Sequence, residues 1–128
     1  MRKRVLVADD EPLTAELLAL VLAFTGYEVV EAHDGRQALE RALEIRPDVV
    51  LLDHMMPELT GSEVTRSLRA DPSLRDTPVV LFSCVDESDV DWREAGADLF
   101  LQKPLDVRRL PEVVQRLTGE ETEPAERG

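Results

Sequence analysis

Short, uninterrupted apolar runs alternate along this chain with stretches in which apolar residues recur three and four positions apart. A run of the first kind is too short for a buried helix. It also lacks the polar alternation of a sheet that faces water, so it predicts a strand covered on both faces of a parallel sheet. The clearest case is Val49-Val50-Leu51-Leu52-Asp53, which follows Pro47 closely and ends on a carboxylate. Arg4-Val5-Leu6-Val7-Ala8 repeats the pattern and runs into Asp9-Asp10-Glu11-Pro12. Tyr27 to Ala32 mixes acids with apolar residues, as an edge strand does, while Thr77 to Ser83 and Ala97 to Leu101 supply two further strands.

The intervening stretches carry helix signals. Pro12 suits a first helical turn, and the helix it opens is expected to reach about Thr25 before Gly26 stops it. Leu13, Leu17, Leu20, Val21 and Phe24 recur at helical spacing and predict its core face, with Leu18 and Leu22 off that stripe and partly exposed. Asp34 followed by Gln37 reads as the cap of a second helix ending near Ile45, and Thr60-Gly61-Ser62-Glu63 has the spacing of a capping box that opens a third. Asp86 to Ala95 leaves room for only a short helix. Leu110, Val113, Val114 and Leu117 mark the last one, in which Pro111 falls just inside if Asp106 is the cap, predicting a distorted first turn. Strand and helix thus alternate without an internal repeat or a long linker, the pattern of one doubly wound α/β domain.

Composition narrows the function classes. A chain of 128 residues, 43% hydrophobic and 33% charged, can build a single core without disulfides and has no apolar run long enough to cross a bilayer. The basic start Met1-Arg2-Lys3-Arg4 is followed by an apolar run that stops at Asp9, too soon for a secretory signal, so a cytoplasmic location is expected. The lone Cys84 agrees with that, since it can form no disulfide within the chain. A net charge of −12 argues against direct nucleic-acid binding and favours divalent cations and basic partner surfaces.

The chemistry lies where the strands end. Asp9 and Asp10 follow the first strand, Asp53 closes the third, Ser83 closes the fourth and Lys103 follows the fifth. In an open α/β sheet the carboxyl ends of the strands form the ligand crevice. Three carboxylates gathered there repel one another and need a cation, and an all-oxygen donor set favours a hard ion such as Mg²⁺. With that charge offset, Lys103 and Ser83 suit a phosphoryl group.

In order and spacing these residues resemble the receiver domain of two-component response regulators. The likeness runs from about Lys3 to Leu117 and rests on Val7-Ala8-Asp9-Asp10-Glu11, Leu52-Asp53 with Pro57 and Gly61, Ser83, Ala95-Gly96-Ala97-Asp98, Phe100 and Lys103-Pro104. The resemblance implies a flavodoxin-like three-layer sandwich with five parallel strands in the order 2-1-3-4-5 and five helices. It implies a receiver unit over residues 1–118, and the polar, acidic composition of 119–128 predicts a disordered tail after it. It also implies that Asp53 accepts a phosphoryl group from a sensor histidine kinase or phosphotransfer protein, and that Asp9, Asp10, Asp53 and the backbone carbonyl of Met55 hold Mg²⁺. Lys103 would pair with one phosphoryl oxygen and Ser83 with another, and the Lys103-Pro104 peptide would be cis. Ser83 moving toward the phosphoryl group would open space that Phe100 fills from the surface, switching a protein-binding face. Such a chain is a signalling module and not an enzyme, although it slowly removes its own phosphoryl group.

Two departures from the family pattern stand out: the segment between Ser83 and Gly96 is about two residues shorter than usual, and Pro111 falls inside the last helix. Met55 and Val85, which flank the site, are both apolar, and this predicts slow self-hydrolysis, because neither side chain can position a water. Cys84 is expected to be a small buried residue, His54 a solvated rim residue, and His33 and Trp92 surface positions with local packing. Three competing readings are a small Mg²⁺-dependent aspartyl phosphatase, a phosphorylation-independent protein-binding module and a flavodoxin-like cofactor binder. The first expects an Asp-x-Asp motif after the first strand, where this chain has Asp9-Asp10. The last expects a glycine- and hydroxyl-rich phosphate loop there, and Asp9-Asp10-Glu11 would repel the phosphate.

Overall fold

The computed structural model describes residues 2–119, so the tail expected over 119–128 lies, from residue 120 on, outside the described residues. Five parallel strands form one sheet in the order β2-β1-β3-β4-β5: β1 Arg4–Ala8, β2 Glu28–Ala32, β3 Val49–Asp53, β4 Val79–Ser83 and β5 Leu99–Gln102. The helices between them are α1 Pro12–Phe24, α2 Gly35–Ile45, α3 Gly61–Ala70, α4 Trp92–Ala95 and α5 Leu110–Leu117. Every residue of β3 and β4 is buried, as the uninterrupted apolar runs require. The sheet divides the core in two. Leu6, Val50, Leu52, Val79, Leu81 and Phe100 face the side covered by α2, α3 and α4, while Val5, Val7, Val49, Leu51, Val80 and Phe82 face α1 and α5.

Local signals account for most element ends. Asp34 accepts from the Gln37 amide at 2.7 Å, and the Gln37 side chain returns to the His33 amide at 2.9 Å. Thr60 and Glu63 complete a reciprocal capping box at α3. Gly61 is needed here for lack of space, since an added Cβ would lie 2.8 Å from the Asp53 carbonyl oxygen and 2.9 Å from the His54 Cα. The expected distortion near Pro111 takes a definite form: Asp106 caps a 3-10 turn over Val107–Arg109, and the α-helix starts afresh at Leu110 with Pro111 in its first turn, where no amide donor is missed. The shortened segment after Ser83 likewise breaks into a 3-10 turn at Glu87–Asp89 and the single turn of α4.

The phase of α1 is the main correction. Ala15, Leu18 and Leu22 are its buried residues, whereas Leu13 and Phe24 are 77% and 91% exposed and Leu17 and Leu20 also face outward. The helix is apolar on nearly every side, so two stripes compete for the sheet and periodicity does not choose between them. Leu18 and Leu22 join Val5, Val7 and Tyr27 in the core on the α1 side of the sheet, and Ala15 is fully buried. Trp92 and Cys84 are corrected in opposite senses: Trp92 is buried against Phe100, with ring centroids 6.2 Å apart, and Cys84 is exposed.

Candidate phosphoryl-accepting site

β1 and β3 are neighbours, yet the chain passes from one to the other by way of β2, so strand order reverses between them and their carboxyl ends flank a crevice. Asp53, the last residue of β3, is only 4% exposed. One of its carboxylate oxygens accepts from the Met55 amide at 3.1 Å and the other from Lys103 Nζ at 3.1 Å. Lys103 Nζ also reaches Asp9 at 3.4 Å, tying the loop after β5 to both acidic strand ends across the site. Asp9 is fully buried, and its second oxygen accepts from the Glu11 amide at 2.9 Å. Asp10 sits at the exposed mouth. Ligand oxygens from Asp9, Asp10 and Asp53 lie within 4.8 Å of one another.

Electrostatics explain the tension in this arrangement. Burial, and next the charge of Asp9, push the Asp53 carboxyl up from 3.8 to about 6, while the bond and charge of Lys103 and the Met55 amide pull it down. Burial pushes Lys103 down, but its bond to Asp53 and the charges of Asp53 and Asp9 outweigh that, so its affinity for the proton rises. One ammonium faces three carboxylates. The surplus negative charge and the all-oxygen donor set of Asp9, Asp10 and Asp53 fit a hard divalent cation.

The remaining expected residues are distributed as follows. Ser83 is buried at the end of β4, with its hydroxyl oxygen accepting from the Val85 amide at 3.0 Å. The Lys103-Pro104 peptide is cis. Phe100 is 7% exposed and already inside against Trp92, so the expected movement in from the surface has no starting point in this conformation. Met55 is exposed on the rim and Val85 is half-buried. His54 is not a freely solvated rim residue: it is half-buried, and its Nδ1 lies 3.3 Å from the Ser62 hydroxyl. Burial pushes the imidazole toward its neutral form.

Sequence reasoning missed two residues that hold loops: Arg69 at the edge of the sheet where β4 and β5 begin, and Gln102 beside the site. Arg69 donates to the carbonyls of Gly96, Arg75 and Thr77 and pairs with Asp98, joining the end of α3 to the loops that lead into β4 and β5. Gln102 donates to the carbonyls of Ser83, Cys84 and Val85. Both are polar residues of ordinary surface type, with no neighbouring pattern to signal what they hold.

Residues 5–115 match the model of the response regulator receiver domain. A DNA-binding response regulator, MtrA of Mycolicibacterium smegmatis, is 43% identical over 98% of this chain and 55% of its own length, so the chain spans about half of that relative. The chemotaxis response regulator CheY4 of Vibrio cholerae superposes with a TM-score of 0.85 at 31% identity, over 91% of this chain and 99% of that one. The receiver domain of the sensor histidine kinase PA1611 from Pseudomonas aeruginosa, solved with a magnesium ion coordinated in its active-site cleft, superposes with a TM-score of 0.84 at 28% identity, over 93% of this chain and 99% of that one.

Proposed function

The chain belongs to the response regulator receiver domain family, and from that premise we propose that Asp53 accepts a phosphoryl group from the phosphohistidine of a sensor histidine kinase or phosphotransfer protein. The carrying observation is the double tether of its carboxylate at a buried strand end: the Met55 amide holds one oxygen and Lys103 the other, beside two further acids. In the transfer, an Asp53 oxygen forms a bond to phosphorus as the bond from phosphorus to the donor imidazole breaks, and the imidazole keeps that electron pair. The product is an acyl phosphate. The ionised carboxylate is the attacking form; in the metal-free chain burial and the charge of Asp9 push that carboxyl up to about 6.

The chain's own groups then have distinct tasks. Lys103 pairs with a phosphoryl oxygen as charge builds there, and the buried Ser83 hydroxyl donates its hydrogen to another. The Met55 amide fixes the attacking carboxylate in orientation. Asp9, Asp10, Asp53 and the Met55 carbonyl would hold Mg²⁺, which supplies charge neutralisation to the crowded oxygens when bound. The receiver unit is taken as residues 1–118, and its output is a change of protein partners rather than turnover of a substrate.

Phosphorylation of the purified protein by acetyl phosphate, with and without Mg²⁺, tests this reading by intact mass. The expected result is a Mg²⁺-dependent gain of one phosphoryl group that is lost in Asp53→Ala. No gain from a folded protein that binds Mg²⁺ would overturn it and favour a phosphorylation-independent binding module.

A further inference from the structure

We infer that Gln102 is a positioning residue, a latch that holds the loop carrying Ser83 in its resting place and so sets how readily Ser83 engages a phosphoryl group. The inference rests on Asp53 being the phosphoacceptor. Gln102 is the last residue of β5, level in register with Ser83 at the end of β4. Its side-chain nitrogen lies 3.1 Å from the Ser83 carbonyl oxygen, 3.0 Å from that of Cys84 and 3.0 Å from that of Val85. An amide nitrogen carries only two hydrogens, so the three acceptors share them. The carbonyls of Cys84 and Val85 lie beyond the end of β4, where the ladder between strands no longer reaches. One side chain thus gathers the start of the β4–α4 loop.

The same loop holds Ser83 from the other side, through the bond from the Val85 amide to its hydroxyl oxygen. Among the described residues Ser83 Oγ has no hydrogen bond to Asp53 or Lys103. On this inference, engaging a phosphoryl group on Asp53 draws Ser83 and its loop toward the site, and that shift pulls the carbonyls beyond β4 away from Gln102. Phe100, two residues earlier in β5, points to the same side of the sheet and packs on Trp92. The latch and the packed aromatic pair lie along one strand, so movement of the loop is transmitted to α4.

Removing the donor lowers the cost of the shift. At the usual net worth of neutral hydrogen bonds, the population of the engaged loop should rise roughly threefold to tenfold. Two variants of this exposed residue test it: Gln102→Leu, which removes the amide, and Gln102→Glu, which keeps the shape but offers no donor. Three readouts apply. These are hydrogen exchange of loop amides over residues 84–90, the fluorescence of Trp92, the single tryptophan of the chain, and the initial rate of phosphorylation by acetyl phosphate with Mg²⁺. Both variants are expected to exchange faster in the loop at unchanged exchange elsewhere, and to be phosphorylated roughly threefold to tenfold faster, with a smaller Trp92 change on phosphorylation. Unchanged loop exchange, or slower phosphorylation than the wild type, would overturn the latch. A wild type that takes no phosphoryl group would instead refute the role of Asp53, and loop exchange would then decide the latch by itself.

Discussion

Substituting Asp53 by Asn should stabilise the metal-free protein, although it removes a hydrogen-bonded, ion-paired side chain. The reason lies in the sign of the Asp53 shift. Its carboxyl is raised from 3.8 to about 6 in the folded chain, first by burial and then by Asp9, so ionisation is disfavoured in the native state relative to the unfolded one. The stability this group contributes is fully present below about pH 4 and is lost as pH rises through about 6. That order is opposite to the behaviour of an ordinary salt-bridged carboxylate. A rise of that size is worth roughly 3 kcal/mol, a figure that already includes the favourable bond from Lys103. Water at the mouth, where Asp10 is exposed, screens part of the repulsion and leaves about 1 to 2 kcal/mol. Asn mimics the neutral carboxyl and retains an acceptor for the Met55 amide. In urea denaturation with a chelator at pH 7.5, Asp53→Asn is expected to be more stable than wild type by that amount, with a Tm higher by about 5 °C. The gap should close as pH falls from 6 to 4. It should also narrow when Mg²⁺ is added, because a ligand that prefers the native wild type stabilises it by mass action. A variant less stable than wild type at pH 7.5, or a gap independent of pH, would show that Lys103 already balances the acids and that no cation is called for.

Two further outcomes follow from the geometry. In α1, Leu18→Ala or Leu22→Ala should cost about 2 to 5 kcal/mol in denaturant unfolding, whereas Leu20→Lys and Phe24→Lys should fall within about 0.5 kcal/mol of wild type; the reverse ranking would restore the stripe headed by Leu13. Replacing both Met55 and Val85 with polar residues, Met55→Asn and Val85→Glu, should shorten the lifetime of phosphorylated Asp53 by roughly tenfold or more, as polar groups there can orient a water. Following phosphate loss by intact mass checks this, and an unchanged lifetime would mean that these two side chains only cover the rim.

How far each feature could be read from the sequence depended on whether one residue pattern admitted one physical solution. The strands β1, β3 and β4 were legible because an uninterrupted apolar run of that length has few other homes, and the acids and hydroxyl at their ends were legible because a parallel sheet gathers those ends at one edge. The capping residues Asp34, Thr60 and Glu63 were legible because their side chains bond within a few positions of themselves. The rotation of α1 was not, since Leu13-Leu17-Leu20-Phe24 and Ala15-Leu18-Leu22 both satisfy helical spacing, and the tertiary packing that buries the second is not written in that spacing.

Gln102 and Arg69 were illegible for a different reason. Apart from the Asp98 carboxylate on Arg69, their partners are backbone carbonyls, which every residue carries, so no run of complementary residue types marks them in the sequence. This separates two kinds of information in the site. The groups that would touch the phosphoryl oxygens, Asp53, Lys103 and Ser83, are fixed by chemical type and can be found by pattern. The groups that hold the loops around those oxygens act through the main chain, and a receiver can vary them without altering its recognisable motifs. Differences in how tightly the β4–α4 loop is held therefore belong to positions such as Gln102. Here the helix that follows is reduced to one turn, so the loop has little other structure to restrain it. A side chain that ties three successive carbonyls then carries a larger share of the restraint than it would beside a full helix.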